Sequence, residues 1–148
     1  MRAAMLTVRD GPVFVAQARG LAARTYVRRD ERLFAARADF ARDFAQEGRL
    51  PDGPKWTLCD AAGVIGVGGI EALGDGVWGA WAYLADLRPR QWLLAAELAR
   101  AVLETVRRIH APALIQAVAG DHPGAGRVLE RVGFSPTAEP TIYCMRGR

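Results

Sequence analysis

The chain of 148 residues, 51% hydrophobic and 24% charged, has the size and composition of one globular domain, which excludes a disordered protein. The formal net charge of +4 comes almost wholly from arginine, because Lys55 is the only lysine. This pattern resembles the codon usage of a GC-rich genome more than a selected nucleic-acid surface, so we expect nucleic acid only as a third and distant alternative partner. Two cysteines and two histidines show no metal-ligand spacing, and we therefore expect no metal site.

No segment of the sequence predicts a membrane span or a secretory leader. Met1–Asp10 carries charged residues and no long apolar run, and the most apolar tract, Val64–Leu87, is interrupted by Glu71 and Asp75. No linker or internal repeat divides the chain. We therefore expect a cytoplasmic protein with no membrane partner, formed by a single domain over residues 1–148.

The first third of the chain predicts one strand and two helices. Met5–Arg9 alternates weakly between apolar and polar residues, as an opening strand does. The segment 13–29 has features of both helix and strand, and we interpret it as a helix. A second helix is expected from Asp30, with apolar residues at helical spacing as far as Phe44 and an end at Gly48.

The middle of the chain predicts an antiparallel meander of three strands. Turn-forming residues separate these segments, most clearly Gly74-Asp75-Gly76. The three strands are KWTLC from Lys55, VIGVGGIEAL from Val64 and VWGAWAYL from Val77.

The last third predicts helix, strand, helix and strand. A long helix runs from Pro89 to His110, ALIQAV over 113–118 is a buried strand, and TIYCM is the closing strand. Between the two strands, Asp121–Phe134 is a short helix with Gly133 as its left-handed stop. The order β-α-α-β-β-β-α-β-α-β predicts an α/β fold, a mixed sheet flanked by helices.

The stretch AVAGDHPGAGRVLERVGF resembles the strand-then-helix signature of the GNAT superfamily, the acyl-CoA-dependent N-acetyltransferases. Val118, Ala125 and the Gly133-Phe134 ending match the family pattern. The resemblance implies a GNAT-like fold, acetyl-CoA as the cofactor, and a small-molecule or protein amine as the acyl acceptor.

The matching stretches depart from the family pattern where its chemistry resides. His122 stands in place of an asparagine, and Leu129 in place of the tyrosine that protonates the departing thiolate. The segment most similar to the family's pyrophosphate-binding loop, [Gln/Arg]-x-x-Gly-x-[Gly/Ala], is RQWLLA. Arg90 and Ala95 match that pattern, but Leu93 replaces its first glycine. A branched side chain there is expected to obstruct the close approach of backbone to phosphate.

The sequence offers a few side chains for the remaining roles. Glu71 and His122 are candidate bases for deprotonating an amine, with a solvated hairpin carboxylate and a turn histidine as the respective alternatives. Tyr83 and Tyr143 are candidate replacements for the missing acid, with packing as the alternative role. The candidate cofactor contacts are Arg90, Leu93, Ala95 and Tyr83.

A narrower resemblance concerns DGVWGAWAYLADL, followed by the long helix and DHPGAGRVLERVGF. It is similar to the GNAT-like proteins of bacteriophages and prophages, including the internal virion protein type, which often lack the acetyl-CoA loop. This resemblance implies a non-catalytic, virion-associated protein that docks on other phage proteins. Two functions therefore stay open: an N-acyltransferase and a structural or docking module.

Overall fold

The computed structural model describes residues 2–3, 14–18, 20–28, 30, 32, 50–85, 87–119 and 124–146. Within them the chain forms one mixed sheet of nine strands in the order β1-β2-β3-β4-β5-β6-β7-β9-β8. The strands are β1 Arg2–Ala3, β2 Phe14–Ala18, β3 Leu21–Thr25, β4 Lys55–Asp60, β5 Gly63–Gly74, β6 Val77–Leu84, β7 Leu114–Val118, β8 Ser135–Pro136 and β9 Ile142–Arg146. The described helices are α1 Pro89–His110 and α2 Ala125–Val132.

The predicted meander is confirmed, since β4, β5 and β6 pair antiparallel in chain order. The tight turn between β5 and β6 has positive φ at three successive residues, Gly74, Asp75 and Gly76, with values of 102°, 54° and 76°. Two glycines and an aspartate tolerate this left-handed backbone, which explains why the hairpin turns at this point.

The predicted crossover is confirmed too. Helix α1 begins at Pro89 and ends at His110, and it carries the chain from β6 to β7, which pair in parallel. Pro89 suits the first helical turn, where its missing N–H has no intrahelical acceptor to lose. The buried face of α1 is formed by Ala95, Ala96, Leu98, Val102, Leu103, Thr105 and Val106.

One of the two predicted N-terminal helices is wrong. The segment 13–29, interpreted as a helix, contains the strands β2 and β3, which form a hairpin with Ala18 opposite Leu21. On β3, Leu21 and Ala23 are buried while Ala22 and Arg24 are half-buried, which is the period of a strand. The pairing of β3 with β4 and this burial override the helix preference of alanine and arginine.

Two other predicted elements fall partly or wholly outside the described residues. The Met5–Arg9 strand is one of them. Of the helix expected from Asp30 to Gly48, the structure describes helical backbone at Asp30 and Arg32. The short strand β8, paired with β9, was not predicted, because two residues are too few to produce a period.

A buried ion pair fastens Asp30 to the sheet. The Asp30 side chain is 0% exposed and accepts hydrogen bonds from Arg24 Nη1 and Nη2, both at 2.8 Å. The Thr57 hydroxyl donates to Asp30 Oδ2 at 2.8 Å and the Val27 N–H donates to the same oxygen at 3.1 Å. The carboxylate therefore joins β3, β4 and the turn after β3.

Helix α2 stops as the sequence predicts. Gly133 has φ 121°, its N–H donates to the carbonyls of Leu129 and Glu130, and the Phe134 N–H donates to the Leu129 carbonyl at 3.0 Å. Phe134 folds back into the core with 4% of its surface exposed. This arrangement is the Gly-based helix stop that the sequence predicted.

We expect Gly133→Val to lower the free energy of unfolding by roughly 1–3 kcal/mol, because a β-branched residue is strained at this φ. An added Cβ would also lie 3.2 Å from the Met145 Cε. Denaturant unfolding of the variant beside Ala138→Val, at an exposed loop position, measures the difference. Equal stability of the two variants would contradict the strain argument.

Candidate active site

The two parallel strands β6 and β7 separate at one end. Their pairing runs from Val77 opposite Leu114 to Ala80 opposite Ala117. Beyond that point β6 continues through Trp81–Leu84, still paired with β5, while β7 ends at Val118. Loss of pairing beside a continuing strand leaves a wedge-shaped gap between them.

An apolar cavity of about 290 Å³ lies at this gap. Its lining includes Ala82 and Val118, which are exposed, Val118 to 71%. Other lining residues are buried and lie deeper in the core, among them Leu103, Val132 and Phe134. The cavity therefore opens where β6 and β7 separate and reaches inward beneath α1 and α2.

No charged, hydroxyl or amide side chain occurs among the described residues that line the cavity. Small side chains supply much of the wall: Ala80, Ala82, Ala95, Ala96, Ala99, Ala117, Ala119 and Ala125. Leu129, which occupies the position of the family tyrosine, also lines it. The indole N–H groups of Trp56 and Trp81, two further lining residues, are buried without a hydrogen-bond partner among the described residues.

The N-terminus of α1 lies beside the cavity, because Trp92 in its first turn belongs to the lining. The first helical bond runs from the Trp92 N–H to the Arg88 carbonyl at 3.1 Å, and the Arg88 N–H donates to Gln91 Oε1 at 3.0 Å. The first turn holds no acidic residue, and Arg88 and Arg90 are exposed there. A helix N-terminus with free N–H groups and nearby cations favours an anionic ligand.

The structure brings only part of the predicted cofactor set to the cavity. Ala95 is buried and belongs to the lining. Arg90 is exposed at the helix N-terminus. Leu93 lies in the second turn of α1, is 47% exposed, and is not among the described lining residues. Its side chain therefore points away from the cavity wall.

Glu71 and Tyr83 lie on the sheet face away from α1. The ring of Trp78 contacts that of His110 on α1 in a tilted arrangement with the ring centroids 5.3 Å apart, so alternation along β6 places Gly79 and Tyr83 on the opposite face. Glu71 is half-buried and pairs with Gly79 on that same face. Neither Glu71 nor Tyr83 belongs to the described lining, and His122 lies outside the described residues.

Tyr143, the other candidate acid, packs against Gly126 on α2. A Cβ added to Gly126 on α2 would collide with the Tyr143 hydroxyl. Tyr143 is absent from the described lining of the cavity. Its ring therefore packs on the first turn of α2 at a site that only glycine leaves open.

The sequence reasoning missed the alanines that shape the cavity. The signals were present as alternation on β6, at Ala80 and Ala82, and as helical spacing on α1, at Ala95 and Ala99. Small residues at these spacings on two facing elements leave space between them. Neither element by itself predicts that space, because a small residue on one strand or one helix is compatible with ordinary core packing.

Within the described ranges, no helix is long and apolar enough to cross a membrane. The same part of the chain contains no cluster of three or more His, Cys, Asp or Glu side chains suited to a metal ion.

The family model for the acetyltransferase (GNAT) domain matches residues 5–135, and the chain belongs to this family. This confirms the GNAT resemblance and the mixed α/β fold.

Solved structures of the same fold extend the comparison. An aminoglycoside acetyltransferase, AAC(6')-Ib, in complex with paromomycin and acetyl-CoA, has a TM-score of 0.65 and 18% identity, covering 88% of this chain and 94% of its own. Spermidine N-acetyltransferase from Vibrio cholerae, in complex with CoA and spermine, has a TM-score of 0.63 and 14% identity, covering 86% and 96%. A GNAT-family acetyltransferase from Bacillus anthracis has a TM-score of 0.61 and 14% identity, covering 90% and 98%. No curated protein sequence matches the chain significantly.

Proposed function

We propose that this protein is an N-acyltransferase that moves an acyl group from a CoA thioester to an amine. The observation that carries the proposal is the gap between β6 and β7, which opens into an apolar cavity beside the N-terminus of α1. An acyl thioester needs an apolar recess, and the phosphates of CoA need an electropositive mouth. The two features adjoin each other here.

The residues around the gap fit CoA. The N-terminus of α1 with Arg88 and Arg90 would hold its phosphates, and the thioester end would lie in the gap. The buried indole N–H group of Trp56 would gain a partner from a ligand carbonyl oxygen. The thioester supplies an acyl carbon that an amine can attack.

The reaction forms one C–N bond and breaks one C–S bond. The amine loses a proton to a base and the sulfur leaves as a thiolate that takes up a proton, so the products are an amide and the free thiol. Glu71 and His122 are the proposed bases. Leu129 cannot donate a proton, so the thiolate takes its proton from another donor. Most of the rate enhancement then comes from holding the amine and the thioester close together in the right orientation.

The sheet face opposite α1 suits a cationic acceptor. Glu71 lies on it, and Trp81 and Tyr83 form a tilted aromatic pair with ring centroids 5.7 Å apart on the same face. A carboxylate and two aromatic rings attract an ammonium group. The structural neighbours crystallised with spermine and an aminoglycoside support this choice of amine.

Reversing the charge of Arg90, at the N-terminus of α1 beside the cavity, should weaken cofactor binding. We expect Arg90→Glu to raise the Kd of acetyl-CoA by about 10-fold or more, because a carboxylate there repels phosphate. Arg108→Glu is the matched control, since it makes the same charge change at an exposed position in the last turn of α1. Isothermal titration calorimetry with acetyl-CoA measures both variants; equal Kd values would remove Arg90 from the site.

A second candidate is a non-catalytic docking protein of the phage or virion type, located in the virion instead of the cytoplasm. Leu93 and Leu129 favour it, because both replace residues that the family uses to bind and protonate CoA. Calorimetry of the wild type with acetyl-CoA, and with CoA as a comparison, separates the two. Micromolar binding supports the enzyme, and absence of heat at high protein concentration supports the docking protein.

A further inference from the structure

We infer that the cavity accepts the chain of an acyl group longer than acetyl, of about six to ten carbons, so that a medium-chain acyl-CoA is the donor. This inference rests on the proposed N-acyltransferase function and specifies its donor. It starts from the size of the cavity. Its volume of about 290 Å³ is on the order of ten times the ~30 Å³ that one water occupies in the liquid, far more than a two-carbon group fills.

The shape of the cavity indicates a chain that enters at one end. Its lining on α1 runs from Trp92 to Leu103, a distance of ~16 Å at the helical rise per residue. Ala82 and Val118, beside the gap, are exposed, whereas the lining residues Leu103, Val132 and Phe134 are buried. An elongated apolar space that opens at the gap fits an unbranched chain attached to a thioester.

The chemistry of the wall selects the acyl chain over the amine. The described lining offers no carboxylate to pair with an ammonium group, and the nearby helix N-terminus disfavours a cation. Leu129 adds apolar surface at the position where the family has a tyrosine hydroxyl. Methylene groups are therefore the ligand that this wall accommodates without leaving buried charges unpaired.

The alanines of α1 and β6 make the space. Ala99 on α1 is half-buried and contributes to the wall, so a phenylalanine there would fill part of the cavity without touching the helix N-terminus. Ala72 on β5 is exposed and is not among the described lining residues. Ala72→Phe therefore provides a control of the same chemical change.

The test measures thiol release from acetyl-CoA, hexanoyl-CoA and decanoyl-CoA over a panel of polyamines, with product mass confirmed by mass spectrometry. We expect kcat/KM for hexanoyl-CoA to exceed that for acetyl-CoA by about 10-fold or more, since methylenes bound in an apolar pocket each contribute selectivity. Ala99→Phe should remove this preference by lowering kcat/KM for hexanoyl-CoA by about 10-fold or more, and Ala72→Phe should change neither the preference nor the rate. Where Ala99→Phe does not fold, as judged by a thermal melt, Ala99→Leu replaces it.

A second measurement reports on binding without turnover. Three tryptophans line the cavity, namely Trp56, Trp81 and Trp92, so their fluorescence should respond to decanoyl-CoA at lower concentration than to CoA. Transfer with equal or better use of acetyl-CoA would overturn the inference and leave the N-acyltransferase proposal standing. Absence of binding and thiol release with every CoA thioester would overturn both.

Discussion

Asp30→Ala should lower the free energy of unfolding by about 3–5 kcal/mol, the expected loss when one partner of a buried ion pair is removed. The substitution leaves the Arg24 guanidinium, only 13% exposed, without its carboxylate. It also removes the acceptor of the Thr57 hydroxyl and of the Val27 N–H. Each unsatisfied group adds its own desolvation penalty.

Urea unfolding of Asp30→Ala beside Asp52→Ala measures this effect, because Asp52 is an exposed aspartate in the loop before β4. Asp52→Ala should change stability by less than about 0.5 kcal/mol. If both variants lost the same small amount of unfolding free energy, the Asp30 network would contribute no more to stability than an exposed ion pair does. That result would contradict the prediction.

The same carboxylate should make stability depend on pH. Burial acts to raise the pKa of Asp30 and is the largest single influence, but hydrogen bonds from Arg24, Val27 and Thr57 together hold it below the usual value. An aspartate with a lowered folded pKa stabilises the fold above its unfolded pKa of about 3.9, and this stabilisation is lost as the pH falls further. Asp30→Asn should therefore show a flatter decline of stability below about pH 4 than the wild type.

The sequence predicted the C-terminal two thirds of the fold well, because each element there has its own local signal. Pro89 and His110 bound α1, and Gly133 ends α2, as the residues alone indicated. The β2–β3 hairpin was missed for the opposite reason. Alternation at Leu21 and Ala23 covers too few residues to outweigh helix propensity, and it acquires meaning only through pairing with β4.

The candidate site was less predictable because its main feature is a cavity, which no single residue or element of the sequence indicates. The motif positions Arg90 and Ala95 could be read from the sequence, but a cavity depends on how facing small residues combine across elements. Ala99 on α1 and Ala80 on β6 are ordinary core residues when either element is considered by itself. Asp30 was likewise interpreted only as the start of a helix, since its partners Arg24 and Thr57 lie on separate strands.

The remaining large effect concerns the base. Under the proposed function, Glu71→Gln should lower the rate of acyl transfer by about 100-fold or more, because glutamine keeps the shape of the side chain but cannot take a proton. Glu71 is half-buried on the sheet face that carries Trp81 and Tyr83, where we place the amine. Glu71→Gln should change the free energy of unfolding little, since Glu71 lies outside the buried core.

Thiol-release assays on Glu71→Gln, His122→Gln and the exposed control Glu104→Gln, each with a thermal melt, distinguish the two candidate bases. A base that titrates in the free enzyme also leaves an acid limb in the pH profile of kcat/KM, and that limb should disappear in the variant that lacks it. A 100-fold loss confined to His122→Gln would assign the base to the histidine after β7 and return Glu71 to a solvated hairpin carboxylate. Unchanged rates in both variants would mean that neither side chain takes the proton, and that positioning of the amine against the thioester accounts for the reaction.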